Sequence, residues 1–335
     1  MQGRDGNPRR FSIFRKRALP AWTAAVCLAV LCIFLRPAPV RGEENAGIPF
    51  ARRMTVEYDG HIYRRRHNVT TVLLMGIDSR GDSQAGADER GGGQVDFLRL
   101  MVLDGKNEEI RQLAIDRDTM AEITILGVLG DAAGTRVDSI SLSHYFGDGR
   151  KRSCALTRDA VSGLLLGARI DYYVAMNLDG IAVLNDALGG VTVTLEEDLS
   201  SLDPAWVPGV TVTLQGRQAE AFVRSRMTVG DGTNQSRMRR QQQYIDRAAW
   251  QMAALSRKDA GFIGELLDAL SPYLVTDFSL GELAAEAYAA RDYAHPPVVS
   301  LAGEHKIGED GFMQFWPDEA KLREAVLALL FIQVD

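Results

Sequence analysis

The stretch "FLRLMVLDGKNEEIRQLAIDRDTM" (Phe97–Met120) decides the fold. Two apolar runs, "FLRLMVLD" and "EIRQLAI", flank "GKN", a turn signal, so the segment reads as an antiparallel hairpin. In an antiparallel pair the start of the first strand lies beside the end of the second. Asp96 therefore falls next to Asp116, Arg117 and Asp118. Upstream, "TTVLLMG" (Thr70–Gly76) is a buried-type strand, an apolar run ended by glycine. If it runs parallel to the second hairpin strand, Asp78 and Arg80 join the same sheet edge. Carboxylates gathered there repel one another unless a cation or arginines intervene. A hard divalent ion such as Mg²⁺, held by one or two carboxylates and by phosphate oxygens, suits such an edge. Taken singly, each aspartate also reads as a turn former or a helix cap.

Working outward, Ser79–Gln94 is a long polar loop rich in glycine, of the kind that carries function. "IDYYVAMNL" and "VTVTL" read as further strands. Between them "DGIAVLNDAL" reads as a helix with Asp179 at its N-cap and Gly189-Gly190 at its end. "GRQAEAFV", Ser236 to about Ser256, "SLGELAAEAYAARDY" and "PDEAKLREAVLALLF" read as helices, with Ser279 and Pro317 near the starts of the last two. Strands and helices mix without a strict βαβ rhythm. The fold class is mixed α/β (α+β), with one central sheet flanked by helices.

The segment "VRSRMTVGDGTNQSRMRRQQQYI" supplies the anion chemistry. Arg224 and Arg226 alternate on a short extended piece. Arg237, Arg240 and Gln241 follow on the first turns of a helix. With Tyr244 they fall within one arc of about 100°, and Ile245, Ala249 and Met252 form the adjoining arc. Guanidinium groups at a helix N-terminus suit a phosphate or pyrophosphate, through bidentate pairing and the helix dipole. A solvated basic helix face is the plainer alternative.

Composition narrows the class. The chain has 335 residues, and 46% hydrophobic against 24% charged residues allows a sizeable core. The net charge is −6, yet the first seventeen residues hold Arg4, Arg9, Arg10, Arg15, Lys16 and Arg17 against Asp5 alone. The rest is thus more acidic than the total suggests, which argues against nucleic acid as a partner. Ala18–Leu35 is uncharged, apolar and about long enough to span a bilayer. The basic residues before it predict a cytoplasmic N-terminus and an external body. A cleaved signal peptide is the rival, but "RPAPVRGEE" lacks a small-x-small cleavage site. The expected divisions are a cytoplasmic tail (1–17), a transmembrane signal anchor (18–35), an extracytoplasmic stalk (36–66) and one domain (67–335). Cys154 is the one cysteine outside the apolar run, so neither a disulfide nor a thiolate zinc site is expected in the body. His61, His67, His144, His295 and His305 show no ligand spacing.

At these residues the chain resembles the LytR-CpsA-Psr family, which attaches polymers to bacterial cell walls. The matching pieces are "LLMGIDSR", "VDFLRLMVLD", "LAIDRDT", "IDYYVAMNLDGIAVLNDALGGVTV" and "VRSRMTVGDGTNQSRMRRQQQ", in the family's order over about 71–245. The resemblance implies an α/β domain whose apolar groove holds a polyprenyl chain, with pyrophosphate and Mg²⁺ at its mouth. It implies catalytic roles for Asp78, Arg80, Arg117 and Asp118, and metal binding by Asp78 and Asp96. Pyrophosphate binding falls to Arg80, Arg117, Arg224, Arg226, Arg237, Arg240 and Gln241. The implied reaction moves a phosphorylated glycopolymer from polyprenyl pyrophosphate to a peptidoglycan hydroxyl at the cell membrane.

Three positions depart from the family pattern. Asp116 replaces a proline, Gln94 stands where arginine is often found, and Asp231 lies further from Arg237 than usual. Phosphoryl transfer depends on positioning and charge neutralisation. Asp78 or Asp118 could take the acceptor proton. A hydrolase of the same lipid pyrophosphate and a non-catalytic module that binds wall polymers are the alternatives.

Overall fold

A computed structural model describes residues 48–83, 92–127, 129–226 and 228–335. The tail, the apolar run at 18–35 and the first part of the expected stalk, 36–47, lie outside these residues. Among the described residues no helix is long and apolar enough to cross a membrane.

In chain order the strands and helices begin with β1 (Thr55–Tyr58), β2 (His61–Arg65), β3 (Val69–Ile77), β4 (Val95–Asp104) and β5 (Glu109–Ile115). Next come β6 (Met120–Leu126), β7 (Ala132–Ser139), α1 (Lys151–Leu164), β8 (Tyr172–Asn177), α2 (Leu178–Ala187), β9 (Val191–Thr194) and β10 (Thr211–Leu214). Then follow α3 (Arg217–Arg224), α4 (Asn234–Lys258), α5 (Phe262–Leu270), β11 (Leu274–Thr276), α6 (Leu280–Ala289) and β12 (Val299–Ser300). The chain closes with β13 (Gly303–Ile307), β14 (Met313–Pro317), α7 (Glu319–Leu330) and β15 (Phe331–Gln333).

The central sheet has the order β11-β8-β3-β4-β5-β12. β4 is antiparallel to both β3 and β5, and β8 is parallel to β3. β3 and β5 therefore point the same way, the condition that brings Asp78 to the edge holding Asp96 and Asp116–Asp118. The strands carry apolar residues at alternate positions because one face is the main core. Leu73, Met75, Leu98, Leu100, Val102, Leu113, Ile115, Tyr173 and Ala175 all belong to that cluster. It is closed by α1 (Ala160, Val161) and α7 (Val326, Leu329, Leu330). Full burial of each leucine there contributes roughly 1.5–3 kcal/mol. A second cluster packs β9 and β10 against α3 and α4, through Val191, Val193, Leu214, Phe222, Tyr244 and Ala248.

Three expectations need correction. The stalk is shorter than 36–66. β2 pairs with β15, and Ala51 and Val56 are buried in the main core, so the later part of the expected stalk belongs to the domain. These strands are short and charged, with little alternation to mark them. Asn177, not Asp179, caps α2, its side chain accepting from the Asp179 and Gly180 amides. Asp179 is thereby free to face the loop after β3. Arg224 is the last residue of the α3 helix and not part of an extended piece, whereas Pro317 stands near the start of α7 as expected, just before the cap Asp318.

Phe331 is 2% exposed at the junction of β15 with the core. Phe331→Ala should destabilise the protein by about 3–5 kcal/mol in urea titration. A change below about 1 kcal/mol would mean that the segment before β3 packs only loosely, as a stalk would.

Candidate active site

The edge formed by the ends of β3 and β5 and the start of β4 gathers charge from four separate segments. At the inner end, Asp96 on β4 is shared by two arginines. Arg117 donates Nη1 to Asp96 Oδ1, and Arg237 Nη1 lies 3.7 Å from Asp96 Oδ2. Arg117 also donates to Gln94 Oε1 at 2.5 Å, and its Nε lies 3.3 Å from Asp118 Oδ1. Gln94 thus acts as a neutral acceptor for Arg117 where an arginine would repel it. The charge of Arg226 reaches both Asp118 and Arg237.

Asp116 explains how this group is held. Its buried carboxylate accepts from the Asp118 amide at 2.9 Å and from Asn234 Nδ2 at 2.6 Å. Its other oxygen meets His305 Nε2 on β13 at 3.1 Å. Asn234, the first residue of α4, in turn accepts from Arg237 Nη2 at 2.5 Å. The departure at Asp116 therefore ties the Arg117–Asp118 turn, the N-terminus of α4 and the β13 strand to one carboxylate. A proline there could make none of these bonds. Asp231 is exposed and bonds Thr233 in the turn before α4, with Arg239 at 3.4 Å. It takes no part in the cluster.

An outer group adjoins the inner one. The amide of Asp78 donates to Gln94 O at 2.9 Å, and Gly93, at φ +76°, lets the chain pass against the Asp78 carbonyl. A Cβ at Gly93 would sit 2.9 Å from that oxygen. Arg224 Nη2 donates to Asp78 Oδ1 at 2.8 Å. Arg80 donates to Asp179 Oδ1 at 2.7 Å and to Glu220 Oε1 at 2.5 Å, while Arg224 Nη1 lies 3.8 Å from the same Glu220 oxygen. Beside them an open hollow of about 460 Å³ is lined by Arg80, Arg217, Glu220, Ala221, Arg224 and Ser225.

Arg240 and Gln241 turn the other way. Arg240 donates Nη1 to Phe222 O at 2.9 Å and Nη2 to Ser225 O, and Gln241 donates to Val223 O at 3.2 Å. Glu197 faces the Arg240 guanidinium at 2.7 Å. These acceptors are the carbonyls at the C-terminal end of α3, which lack helical partners and attract positive charge. Arg240 and Gln241 therefore hold α3, and with it Arg224 and Arg226, in place of acting as direct ligands. Glu220, Glu197, Asn234 and His305 were not singled out from the sequence. Only Glu220, four residues before Arg224 on a helix, carried a spacing signal.

Electrostatics separates the two base candidates. Asp118 is buried, and burial pushes its carboxyl above the usual range, with Asp116 adding to the effect and Arg117, Arg226 and Arg237 opposing it. Its Oδ2 has no hydrogen-bond partner among the described residues. Asp78 is more open and paired with Arg224. Burial lowers the pKa of Arg237, with Asp96 opposing, yet an arginine stays charged at neutral pH. Among the described residues no group of three metal-binding side chains occurs. Asp78 and Asp96, already paired with arginines, could supply two oxygens to an ion completed by phosphate.

The second face of the sheet and α4 are joined by the Arg99–Gln242 bond, and both carry half-buried apolar residues. Leu74, Phe97, Met101, Val174 and Met176 are half-buried on this face. Met238, Gln242, Ile245, Ala249 and Met252 form a half-buried stripe on α4. The Gln242–Arg99 bond fixes the stripe against β4.

Residues 49–326 match the LytR_cpsA_psr family. A polyisoprenyl-teichoic acid–peptidoglycan teichoic acid transferase TagU of Halalkalibacterium halodurans is 32% identical over 210 residues, covering 63% of this chain and 61% of its own. The TagU of Bacillus cereus is 27% identical over 255 residues, 75% of each chain. In structure, protein gbs0355 of Streptococcus agalactiae superposes with a TM-score of 0.63 at 21% identity, over 78% of this chain and 87% of that one.

Two outcomes test this arrangement. Because the folded state favours neutral Asp118, its ionisation costs stability as pH rises through the raised pKa. Asp118→Asn should therefore raise the melting temperature at neutral pH, and the gain should shrink as the pH falls and the wild-type carboxyl protonates. An unchanged melting temperature at neutral pH would show that the neighbouring arginines fully compensate the charge. Arg240→Ala should cost about 3–5 kcal/mol, since Glu197 loses its buried partner, and Arg240→Lys should recover less than half of that. A lysine variant of wild-type stability would return Arg240 to the direct ligands.

Proposed function

The chain belongs to the LytR-CpsA-Psr family, and from that premise we propose that it transfers a phosphorylated glycopolymer from polyprenyl pyrophosphate to a peptidoglycan hydroxyl. The observation that carries this reading is the convergence of Arg117 and Arg237 on one carboxylate beside a buried, partly unpartnered Asp118. Relatives of the chain are named as polyisoprenyl-teichoic acid–peptidoglycan teichoic acid transferases. Since the chain spans 61% of the first of them, the whole activity stands as a proposal.

In this reading the pyrophosphate enters between Arg117, Arg226 and Arg237 and takes the place of Asp96 on the two arginines that now share it. The acceptor hydroxyl oxygen bonds to the phosphorus that bears the glycopolymer. Its proton passes to Asp118 Oδ2, and the P–O bond to the lipid phosphate breaks, releasing polyprenyl phosphate. Arg80 and Arg224 hold the outer side of the donor, and Arg240 with Gln241 keeps α3 in position. Mg²⁺ held by Asp78 and Asp96 would neutralise charge on the pyrophosphate. The polyprenyl chain lies between the second sheet face and α4. The apolar run at 18–35 would anchor the protein in the membrane, with its N-terminus cytoplasmic and this domain outside the cell.

The test is an assay of the full-length chain in detergent with lipid-linked polymer and purified peptidoglycan. Polymer should appear on peptidoglycan only when donor and acceptor are both present. Arg117→Ala should lower kcat/KM by about 10²–10³-fold, as removal of a preorganised charge at a transferring phosphoryl group does. Phosphate release without acceptor would identify a hydrolase instead, and donor binding without turnover a binding module.

A further inference from the structure

Arg99 is a feature of these half-buried apolar faces that an apolar ligand does not explain. It sits on β4 among Leu74, Phe97 and Met101, on the face turned away from the main core. It is 3% exposed and has no ion pair among the described residues. Its Nη1 donates to Gln242 Oε1 on α4 and to Gln112 Oε1 on β5 at 3.2 Å, and its guanidinium centre lies 5.3 Å from the Phe97 ring centroid. Gln242 passes on to Asp246 at 2.6 Å, and Gln112 meets His295 Nδ1 at 3.3 Å. Its Nε has no hydrogen-bond partner among the described residues. Burial lowers its pKa to about 10, with Asp246 opposing, so the group is charged at neutral pH.

Burying an unpaired charge is costly, and covering it with hydrocarbon in place of its amide partners costs more. Arg99 lies three residues along β4 from Asp96, about 10 Å. Gln242 lies five residues along α4 from Arg237, about 7.5 Å. A polar bar thus joins helix to sheet roughly one helical turn behind the arginine centre.

We propose that Arg99, bridged to Gln242 and Gln112, is a specificity-determining stop that limits how much of a polyprenyl chain can enter between these faces. The proposal rests on the reading of these faces as the lipid site. A chain entering from the arginine centre would pack its first isoprene units against Phe97, Leu74 and Met238. It would then meet the bar, and its remaining length would stay outside the protein. Affinity would therefore depend little on chain length beyond those first units.

The test compares binding of farnesyl phosphate and undecaprenyl phosphate, in matched detergent micelles, to the full-length protein, Arg99→Leu and Gln242→Leu. The wild type should bind the two with similar affinity. Each variant should shift the ratio in favour of the long chain by about tenfold, the effect of burying roughly two further methylene groups. Thermal unfolding checks that each variant folds, and Gln242→Leu serves where Arg99→Leu does not. A wild type that strongly prefers the long chain, with the same ratio in a folded variant, would overturn the stop. The predicted length profile without polymer transfer would refute the transferase reading and leave the stop standing. If neither lipid binds, both fail.

Discussion

The structure depends on a single carboxylate, Asp96, standing between two buried or half-buried guanidiniums. Arg117 comes from the turn after β5 and Arg237 from the first turns of α4. Without an anion between them, two cations at this depth would repel strongly. Asp96 sits at the start of β4, where a strand end can present a charged side chain without burying it in the core. The same need for a compensating negative charge is what makes the site receptive to a pyrophosphate. A ligand carrying more charge than one carboxylate can replace it on the same arginines.

Around that contact, much of the surrounding polar structure supports one of the arginines. Asp116 holds the Arg117 turn and, through Asn234, Arg237. Arg240, Gln241 and Glu197 hold the C-terminal end of α3, which carries Arg224 and is followed by Arg226. Glu220 and Asp179 hold Arg80. Preorganisation of this kind lets charges meet a developing negative charge without moving. It also concentrates buried charge, so the domain trades stability for readiness at one edge of its sheet.

Much of this was legible in the sequence. The hairpin at 97–115 gave the edge, because antiparallel pairing fixes which residues are neighbours. The helical arc of Arg237, Arg240, Gln241 and Tyr244 and the adjoining arc of Ile245, Ala249 and Met252 correspond to two real faces of α4. What periodicity cannot supply is the direction of a long side chain. Arg240 shares its arc with Arg237, yet it reaches back to α3, because carbonyls at a helix end compete for it. Glu197 and His305 come from distant segments and carry no local signal. The early strands at 55–65 are hidden by their charged, half-exposed residues, which read as a stalk because the pairing of β15 with β2 joins segments far apart in the chain.

The most direct measurement is a crystal structure of the protein with a short polyprenyl pyrophosphate. The account predicts pyrophosphate oxygens within hydrogen-bond reach of Arg117, Arg226 and Arg237, with Asp118 Oδ2 turned toward the ligand. Arg240 and Gln241 should remain on the carbonyls of Phe222, Val223 and Ser225. A pyrophosphate bound elsewhere, such as in the hollow beside Arg217, with Asp96 still shared by Arg117 and Arg237, would contradict it.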